Sequence, residues 1–461
     1  MTECNSQPLL FRDFGPRLVS ATFDGGDITS DGGATLLRAT DDRIGLLERA
    51  AACFTDHRDA ERVQHSVLEL LRQRVFGLAL GYEDLVDHDE LRRDRLLATV
   101  VGKRDVGEGL LAGKSTLNRL ELALGEIPEN ERYKKIALDT AALDGVLVDT
   151  FLDAHEEPPG FIEIDLDNTD VPLHGHQEGR FFHGYYGHYC YLPLYVFCGE
   201  HLLLARQRPA DCDGAAGATE EIARIVARIR ERWPATEILV RGDSGFCREE
   251  LMAWCEDNAV WYVLGLPKNA RLTAMIANEL AAAKAECEEK GKPARVFAEL
   301  EYATLDSWSA TRRVVAKAEH LVGDKSNPRF VVTNIPADVY PAQMLYEDVY
   351  CSRGDMENRI KEQQLYLFAD RASAATMRAN QIRLYLSSLA YVLLAALRRI
   401  GLAGTEMARA QCHTIRTKLL KIGAQIRVTV RRVWVSMSSS HPCQQIFERI
   451  HARLTAAPAG P

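Results

Sequence analysis

Three widely separated acidic residues, Asp167, Asp243 and Glu357, have the types and positions needed for metal-dependent chemistry. Asp167 and Asp243 each end a hydrophobic run typical of a β-strand, and Glu357 lies in the first turns of a predicted helix. If the two strands are neighbours, both aspartates emerge at one edge of the sheet, where open α/β sheets bind ligands. Carboxylates gathered there can hold two divalent cations, which stabilise the attacking and leaving oxygens of a displacement at phosphorus. The pattern therefore predicts phosphodiester chemistry.

The choice of the first carboxylate is open between two residues. Asp165 lies two residues before Asp167 and therefore shares its face of the strand. We prefer Asp167 because it is at the exit of the strand. The alternative for either aspartate, and for Asp243, is a turn in which the side chain binds its own backbone. Gly242 and Gly245 beside Asp243 favour a site where a ligand approaches the backbone closely.

The predicted helix around Glu357 carries further polar groups. Tyr350, Arg353, Glu357 and Lys361 fall within about three helical turns, and the last three repeat every fourth residue on one face. The alternative for Glu357 is an ion pair within the helix, which stabilises it by only about 0.2–0.5 kcal/mol. Taken together, these residues offer a metal ligand flanked by cations that can bind phosphate oxygens.

The elements that must position the acids follow the break at Pro158, Pro159 and Gly160. Hydrophobic periodicity predicts strands at 161–167, 189–199 and 200–206, a helix at 215–232, a strand at 237–243, a helix at 248–258 and a strand at 260–266. This β-β-β-α-β-α-β order predicts an α/β fold, a mixed sheet with helices on both faces as in ribonuclease H-like domains.

The rest of the chain differs in pattern from this core. Residues 66–80 form the clearest of several amphipathic helices before it, while a helix at 271–290 and strands at 294–303, 312–318 and 330–334 follow it. A helix at 373–400, a basic helix at 405–421 and, at 425–435, a strand or a continuation of that helix come last. We therefore predict an N-terminal helical, DNA-binding domain (1–157), the first part of the catalytic core (158–267), a β-rich insertion (268–345), the second part of the core with the Glu357 helix (346–400) and a basic, largely helical C-terminal region (401–461).

Charge is distributed unevenly along the 461 residues. The net charge is −9, yet residues 371–461 contain fourteen Lys and Arg against two acidic residues, which gives +12 there and −21 elsewhere. Such asymmetry is expected when one face of a protein binds a polyanion. The alternative is a basic segment that only neutralises the acidic remainder. On the first interpretation, Arg431 and Arg432 are candidate DNA-binding residues.

The joint motifs resemble the DDE transposases of bacterial insertion sequences. The third motif of one branch is tyrosine, two residues, arginine, three residues, glutamate, six residues and lysine, and Tyr350, Arg353 and Glu357 match it. The lysine position holds Gln364, so Lys361 is the candidate replacement one turn earlier. The stretches 165–179, 186–194 and 350–362 look in particular like the family numbered thirteen-eighty. The resemblance covers roughly residues 20–430.

The resemblance implies a function and a set of ligands. Asp167, Asp243 and Glu357 would bind two Mg²⁺ ions, with Mn²⁺ as a substitute, to activate water for cleavage of the element ends and then the freed 3′-hydroxyl for joining to target DNA. The partners implied are double-stranded terminal inverted repeats and target DNA, with a dimer assembled on DNA. The implied DNA contacts come from Tyr350 and Arg353, to which we add Lys361 and Arg359. Trp308, in the insertion, is a candidate base-stacking residue by location only.

A cluster near the first aspartate offers a different chemistry, a zinc site, formed by His174, His176, His183, His188 and Cys190. Its spacing lacks the paired ligands of structural zinc sites. We expect the loop to border the catalytic edge of the sheet instead, with His176 and Gln177 contacting DNA.

Two other functions remain open. One is a metal-dependent nuclease of the same fold without strand transfer; the other is a DNA-binding protein with an inactive site, which the complete set of acids argues against. Eleven scattered cysteines without a Cys-x-x-Cys pair predict reduced thiols in a cytoplasmic protein, associated with the bacterial nucleoid when bound. The apolar run 384–397 is too short to span a bilayer, so no membrane partner is expected.

Overall fold

The computed structural model of the chain describes residues 8–11, 17–106, 111–323 and 325–456. They divide into two compact units, one within the limits Met1–Ala137 and Leu389–Pro461 and the other Leu138–Ser388. The second unit contains all three candidate acids. Its limits do not coincide with the boundaries expected at residues 157 and 401.

The Leu138–Ser388 unit is built on one nine-stranded mixed sheet. Its strands are β1 (Phe161–Asn168), β2 (Leu194–Cys198), β3 (His201–Arg206), β4 (Glu237–Gly242), β5 (Trp261–Leu266), β6 (Ala294–Tyr302), β7 (Arg312–Leu321), β8 (Lys325–Ser326) and β9 (Arg329–Thr333). The strand order is β3-β2-β1-β4-β5-β9-β7-β6, with β8 paired to β7.

The first five strands form the part of the sheet that positions the candidate acids. β1, β2 and β3 are an antiparallel meander, while β4 pairs with β1 and β5 pairs with β4 in parallel. The predicted neighbouring of β1 and β4 is therefore confirmed. The run 189–199, however, is not one strand: Pro193 interrupts it, because proline cannot donate to a ladder of backbone hydrogen bonds. Its first half instead pairs in a separate small sheet.

The sequence of β1 explains why its acids share one face. Ile162, Ile164 and Leu166 are buried in the large core between the sheet and its helices. Because side chains alternate along a strand, Asp165 and Asp167 point to the opposite face. Hydrophobic burial of one face therefore fixes the direction of the carboxylates on the other.

The strands after β5 extend the same sheet. β9 pairs antiparallel with β5, and β7 and β6 continue outward from it. The segment expected as a β-rich insertion is thus continuous with the central sheet. The predicted helix 271–290 is divided at Ile276 into Ala270–Met275 and Ala277–Lys290.

Helices cover the sheet and carry the third acid. The α-helices of this unit are Thr140–Leu152, Ala218–Arg232, Glu249–Asp257, Ala270–Met275, Ala277–Lys290, Ala342–Met344 and Gly354–Leu367, the last of which we call the Glu357 helix. Short 3₁₀ or π helices lie at Ser244–Phe246, Leu345–Tyr350 and Cys351–Arg353, and Met377–Ala396 begins here and continues beyond the unit. The segment Met377–Gly401 is long and apolar enough to cross a membrane, but 89% of its apolar window is buried inside the protein. Such burial is typical of a core helix.

A small three-stranded sheet follows β1. It consists of Val171–Pro172, His188–Tyr191 and Phe181–His183, with His188–Tyr191 in the middle. We call its outer hairpin, residues 181–191, the aromatic hairpin.

The other unit contains short helices and strands. Its helices are Ala34–Ile44, Leu46–Ala52, Ala60–Arg62, Val67–Leu80, Asp87–Leu91, Arg95–Val101, Lys114–Glu121, Leu397–Gly401, Cys412–Ile415, Arg416–Leu420 and Gln444–Thr455; its strands are Leu9–Phe11, Val19–Ala21, Ile28–Thr29, Phe54–Asp56, Ile136–Leu138, Ala424–Val428 and Val433–Met437. The predicted helix 66–80 is confirmed, with Ser66 and Glu69 forming a reciprocal capping box.

Two expectations for the C-terminal region were wrong. The basic helix expected at 405–421 is helical only over Cys412–Leu420, because the residues before it form turns. The strand expected at 425–435 is a hairpin, Ala424–Val428 with Val433–Met437. Arg431 and Arg432 occupy its turn. We call this element the basic hairpin.

Candidate functional site

The register of β1 and β4 brings the two aspartates together. Arg241 lies beside Asp165 and Gly242 beside Leu166, so the next residues, Asp243 and Asp167, leave neighbouring strands at the same edge. One oxygen of Asp167 accepts the Asn168 N–H at 2.9 Å. One oxygen of Asp243 accepts the Gly245 N–H at 2.8 Å and starts a short 3₁₀ turn. Asp243 therefore forms the turn that was considered as its alternative role, and the same side chain is also the candidate ligand.

Asp165 has a different environment from Asp167. Its two oxygens accept hydrogen bonds from the Arg241 Nε and Nη2 at 2.7 and 2.9 Å, and both residues are buried. A carboxylate held at both oxygens by a buried guanidinium is engaged structurally. Asp167 instead lines an open cleft. The choice of Asp167 as the first ligand stays a prediction.

The Glu357 helix presents its polar face to this cleft. Glu357, Lys361 and Gln364 are spaced by four and three residues and all line it. The helix buries Met356 and Leu367 away from the cleft, and the buried Ile360 borders it. Lys361 and Gln364, the residue at the family's lysine position, therefore line the same cleft. The sequence spacing alone did not show this.

Arg353 lies between two of the acids. Its Nη1 is 3.4 Å from Asp167 Oδ2 and its Nη2 is 3.8 Å from Glu357 Oε1. Lys361 Nζ is 4.0 Å from Glu357 Oε2. The helical ion pairs considered as an alternative role of Glu357 are therefore formed, and Glu357 and Lys361 line the cleft.

The cleft has a volume of about 760 Å³ and is lined by residues from five segments of the chain. Asp167, Asp243 and Glu357 all line it, together with His183, Tyr185 and Tyr186 of the aromatic hairpin. Burial raises the pKa of Asp167 to about 6; Arg353 opposes the rise, and the negative charges of Asp243 and Glu357 add to it. Burial and the two neighbouring carboxylates therefore favour the protonated form of Asp167.

The three acids have the chemistry of a divalent-cation site. Carboxylate oxygens are the hard ligands that Mg²⁺ prefers, and a cation would relieve the repulsion that raises the pKa of Asp167. Among the described residues, no group of three or more His, Cys, Asp or Glu side chains is close enough to hold a metal ion. Glu357 has a long side chain, 48% exposed, whose rotamers can bring it nearer to the aspartates. The oxygen donors fit such a cation by their chemistry, and Arg353 now interacts with two of the three acids.

The remaining predicted residues of this unit lie in different places. Tyr350 is outside the cleft and lines a neighbouring cavity of about 320 Å³ with Ser244, Lys268 and Arg329. Arg359 forms an ion pair with Glu362 at 3.1 Å.

Two more lie in the loop after β1. The His176 side chain is exposed, whereas the Gln177 amide is engaged, donating to the Ala372 carbonyl and accepting from the Gly175 N–H. Neither lines the cleft. Trp308 packs against Tyr302 and, at 5.5 Å, the Arg312 guanidinium, so its ring is partly buried.

The basic hairpin belongs to the other compact unit. Arg431 and Arg432 are exposed at its turn. Trp434, 44% exposed, has the guanidinium groups of Arg427 and Arg432 over its ring at 5.5 and 5.6 Å. The element therefore combines clustered cations with one exposed aromatic ring.

The histidine and cysteine cluster is dispersed. His188 Nε2 is hydrogen-bonded to Asp170 Oδ2 at 2.7 Å, Cys190 is fully buried, and His183 lines the cleft. None of the ten cysteines within the described residues is in a disulfide, and Cys4 lies outside those residues.

Sequence reasoning missed three groups that shape the site. Tyr185 and Tyr186 line the cleft, Arg241 holds Asp165, and Gly265 lies against the Asp243 backbone. The dense run of aromatic residues at 181–191 was a usable signal. Nothing in the sequence distinguishes Gly265 from other strand glycines.

Comparison with known proteins identifies the family. Residues 11–459 match the model of the family described as transposase DDE domain group 1. The chain belongs to this family. As a DDE transposase family member, it is expected to cut and join DNA.

Two other comparisons add nothing to the family assignment. The chain is similar to a piggyBac transposase solved by cryo-EM in a synaptic complex with hairpin DNA, with 12% identity and a TM-score of 0.44 over 83% of this chain and 78% of that one. Comparison with curated proteins finds no match.

Proposed function

We propose that this DDE transposase cleaves the ends of an insertion sequence and joins the freed 3′-hydroxyl to target DNA at Asp167, Asp243 and Glu357. One observation carries the proposal: acids from β1, β4 and the Glu357 helix line a single cleft. Membership of the DDE family supports it.

The proposed fold of the catalytic part is ribonuclease H-like. Its support is the order β3-β2-β1-β4-β5, an antiparallel meander joined to two parallel strands. We assign the chain further to the bacterial thirteen-eighty family on the motif of Tyr350, Arg353 and Glu357. The departure at Gln364 is compensated by Lys361, which reaches the same cleft.

Asp167, Asp243 and Glu357 are the residues that would hold two Mg²⁺ ions, or Mn²⁺ in their place. The bound cations would supply charge neutralisation for the attacking and leaving oxygens of the phosphodiester. The three acids would hold the cations in the cleft that they line. Asp167 must be deprotonated for this role, and its raised pKa links the role to pH.

Cationic and polar groups around the acids would bind the DNA strand. Lys361, 64% exposed on its side chain, can reach a phosphate from the rim of the cleft. The Arg353 Nε is buried and has no hydrogen-bond partner within the described part of the chain. Phosphate oxygens are suitable acceptors for such a group. Tyr350, beside Lys268 and Arg329, offers a continuation of this polar surface.

The partners follow from the reaction. We propose that the protein binds double-stranded terminal repeats and target DNA, with the basic hairpin contributing Arg431 and Arg432. Two element ends must be held together for joining, so we propose a dimer on DNA. We place its action in the bacterial cytoplasm, at the nucleoid when bound.

The test is incubation of the full-length protein with linear DNA carrying the element ends and Mg²⁺, with strand products mapped to the nucleotide. Asp243→Asn and Glu357→Gln should each slow cleavage by at least about a hundredfold, because a metal ligand contributes several kcal/mol to the transition state. Binding of the same DNA should change little. Asp355→Asn, on the exposed part of the same helix, is the matched control. Undiminished cleavage by either acid variant would refute the assignment.

A further inference from the structure

The aromatic hairpin exposes several rings beside the cleft. Phe182 is 57% exposed, Tyr185 87% and Tyr189 42%. Large aromatic side chains normally bury most of their surface, so three exposed rings on one short hairpin indicate a surface that binds something. The rings of Phe182 and Tyr189 pack edge to face at 5.6 Å, which orders that part of the surface.

This surface is continuous with the site of the candidate acids. His183, Tyr185 and Tyr186 line the same cleft as Asp167, Asp243 and Glu357. Tyr185 and Tyr186 contact each other with ring centroids 5.1 Å apart. Burial, with the nearby charges of Asp170 and Asp167, raises the pKa of Tyr186 to about 12. A ligand that reaches the acids therefore passes the hairpin.

An arginine directly precedes the aromatic hairpin in the sequence. The Arg180 guanidinium lies over the Tyr189 ring at 3.6 Å. Its Nε and the Nδ1 of His183 are buried without hydrogen-bond partners within the described residues. Buried polar groups of this kind are usually satisfied by a partner, so each is available to a ligand acceptor.

The combination fits a single-stranded nucleic acid better than a protein. Proteins that bind single strands stack bases on exposed aromatic rings and hold the backbone with neighbouring cations. A binding site for a protein would not require aromatic rings that share a cleft with three carboxylates. Trp308, the aromatic residue singled out by its location in the sequence, packs against Tyr302 and Arg312 instead.

We propose that the aromatic hairpin binds unpaired nucleotides of the DNA strand whose phosphate lies at the acids, with a base stacked on Tyr185 and a phosphate bound by Arg180. This inference rests on the proposed function, because it places the same strand in the cleft. It adds a preference for unpaired over paired DNA next to the cleavage site.

The test measures binding by the full-length protein in Ca²⁺, a hard cation with oxygen ligands like Mg²⁺. The probes are a single-stranded oligothymidylate containing one 2-aminopurine and a duplex of the same length. Tyr185→Ala should weaken single-strand binding about 5- to 100-fold, the effect of losing one base–aromatic stack. Duplex affinity should change less than about twofold, since paired bases offer no free face to stack. Quenching of the 2-aminopurine should be lost with the ring.

Two further variants separate stacking from charge. Tyr185→Phe keeps the ring and should bind as the wild type does. Arg180→Gln should reduce the slope of log affinity against log salt by about 0.7, the value for one phosphate contact on a single strand. Leu305→Ala removes a side chain of matched exposure, 86%, from the same unit and should leave binding unchanged.

The results discriminate between the inference and the proposed function. Equal single-strand affinity of Tyr185→Ala and wild type overturns the inference, as does a wild type that does not bind the single strand. The acid variants in the cleavage assay decide the proposed function separately. If Tyr185→Ala loses single-strand binding while Glu357→Gln retains it, the hairpin is a binding surface independent of catalysis.

Discussion

Arg241 and Asp165 form a buried, two-point ion pair that connects the segments of all three candidate acids. Arg241 is two residues before Asp243, and Asp165 is two residues before Asp167. The Arg241 Nη1 also donates to the Val349 carbonyl at 2.9 Å and to the Ser352 hydroxyl at 2.6 Å, just before the Glu357 helix. One guanidinium thus fixes β1, β4 and the start of that helix relative to one another.

We expect Arg241 to act as a positioning residue for the acids. Arg241→Met should lower the free energy of unfolding by about 3–5 kcal/mol, because it leaves Asp165 buried without a counter-ion. It should slow cleavage about 10- to 100-fold, as loss of groups that orient metal ligands commonly does. Urea unfolding and Mg²⁺-dependent cleavage measure the two effects.

The double variant Arg241→Met with Asp165→Leu separates positioning from stability. Replacing both members of a buried ion pair by apolar residues is often neutral, so stability should recover. Cleavage should stay slow and require more Mg²⁺ for half-maximal rate. Recovery of the cleavage rate together with stability would show that Arg241 serves the fold alone.

Asp167 should make stability depend on pH in the direction opposite to that of most carboxylates. The folded carboxyl group holds its proton up to about pH 6, whereas an ordinary aspartate releases it near 3.8. Stability therefore falls as pH rises through that interval, and the cost is fully present above pH 6. At neutral pH, without divalent cations, Asp167→Asn should raise the free energy of unfolding by on the order of 2 kcal/mol.

Chemical unfolding well above and well below this interval tests the sign. The difference in the free energy of unfolding between Asp167→Asn and the wild type should disappear as pH falls below 3.8. The wild-type carboxyl group is then protonated in both the folded and the unfolded protein. Asp338→Asn, at an exposed loop position, is the control. A destabilised Asp167→Asn protein at neutral pH would mean that the Arg353 ion pair outweighs the burial of charge.

The sequence predicted those features that depend on local pattern. The alternation of residues in β1 correctly predicted that Asp165 and Asp167 lie on one face. The positions of Asp167 and Asp243 after hydrophobic runs correctly predicted that both leave the sheet at the same edge. Four-residue spacing correctly put Glu357 and Lys361 on one helical face. Each of these conclusions needs only the period of a strand or helix.

Features that depend on distant partners were not predictable in this way. Arg72 and Arg74, two basic residues of the predicted helix 66–80, are buried in ion pairs with Asp41 and Glu121. The pairing of β9 with β5, which joins the supposed insertion to the main sheet, needs contacts between residues about seventy positions apart. Local periodicity carries no information about either.

Gly265 should be intolerant of a side chain because of its closeness to the site. A Cβ there would lie 2.7 Å from the Tyr350 hydroxyl and 2.8 Å from the Ser244 backbone nitrogen. Gly265→Ala should therefore displace the segment that carries Asp243, with a loss of about 1–3 kcal/mol in stability from overpacking and a larger loss of cleavage.

Combining Gly265→Ala with Tyr350→Phe identifies which contact matters. Removing the hydroxyl relieves only the Tyr350 clash, so the double variant should remain impaired by the Ser244 contact. Gly160→Ala, whose Cβ would meet nothing within 4 Å, should be tolerated. Normal cleavage and unfolding of Gly265→Ala would contradict the tight packing.

Lys361 should replace the lysine that the family motif places at position 364. Both Lys361 and Gln364 line the cleft. Lys361→Gln should weaken DNA binding several-fold and lower the salt slope by about 0.9, the value for one phosphate contact on a duplex. The exchange variant, Lys361→Gln with Gln364→Lys, should regain most of the wild-type affinity, whereas Lys292→Gln at an exposed site should change neither quantity. Failure of the exchange would mean that position 361 alone reaches the phosphate.

Arg431 and Arg432 should contribute to DNA affinity through phosphates. Both side chains are exposed at the turn of the basic hairpin. Contact with a phosphate does not need the precise alignment that a contact with a base edge needs. Reversing both charges with glutamate should weaken binding of any duplex and flatten the plot of log affinity against log salt by about 1.8, because each arginine that neutralises a phosphate accounts for about 0.9 of the slope. The effect should be nearly the same for specific and unrelated sequences, since phosphate contacts carry no sequence information. Reversal of Lys290 and Lys292 produces the same change in net charge in the other unit. If that variant flattens the salt dependence equally, overall charge explains the effect and the basic hairpin is not part of the DNA interface.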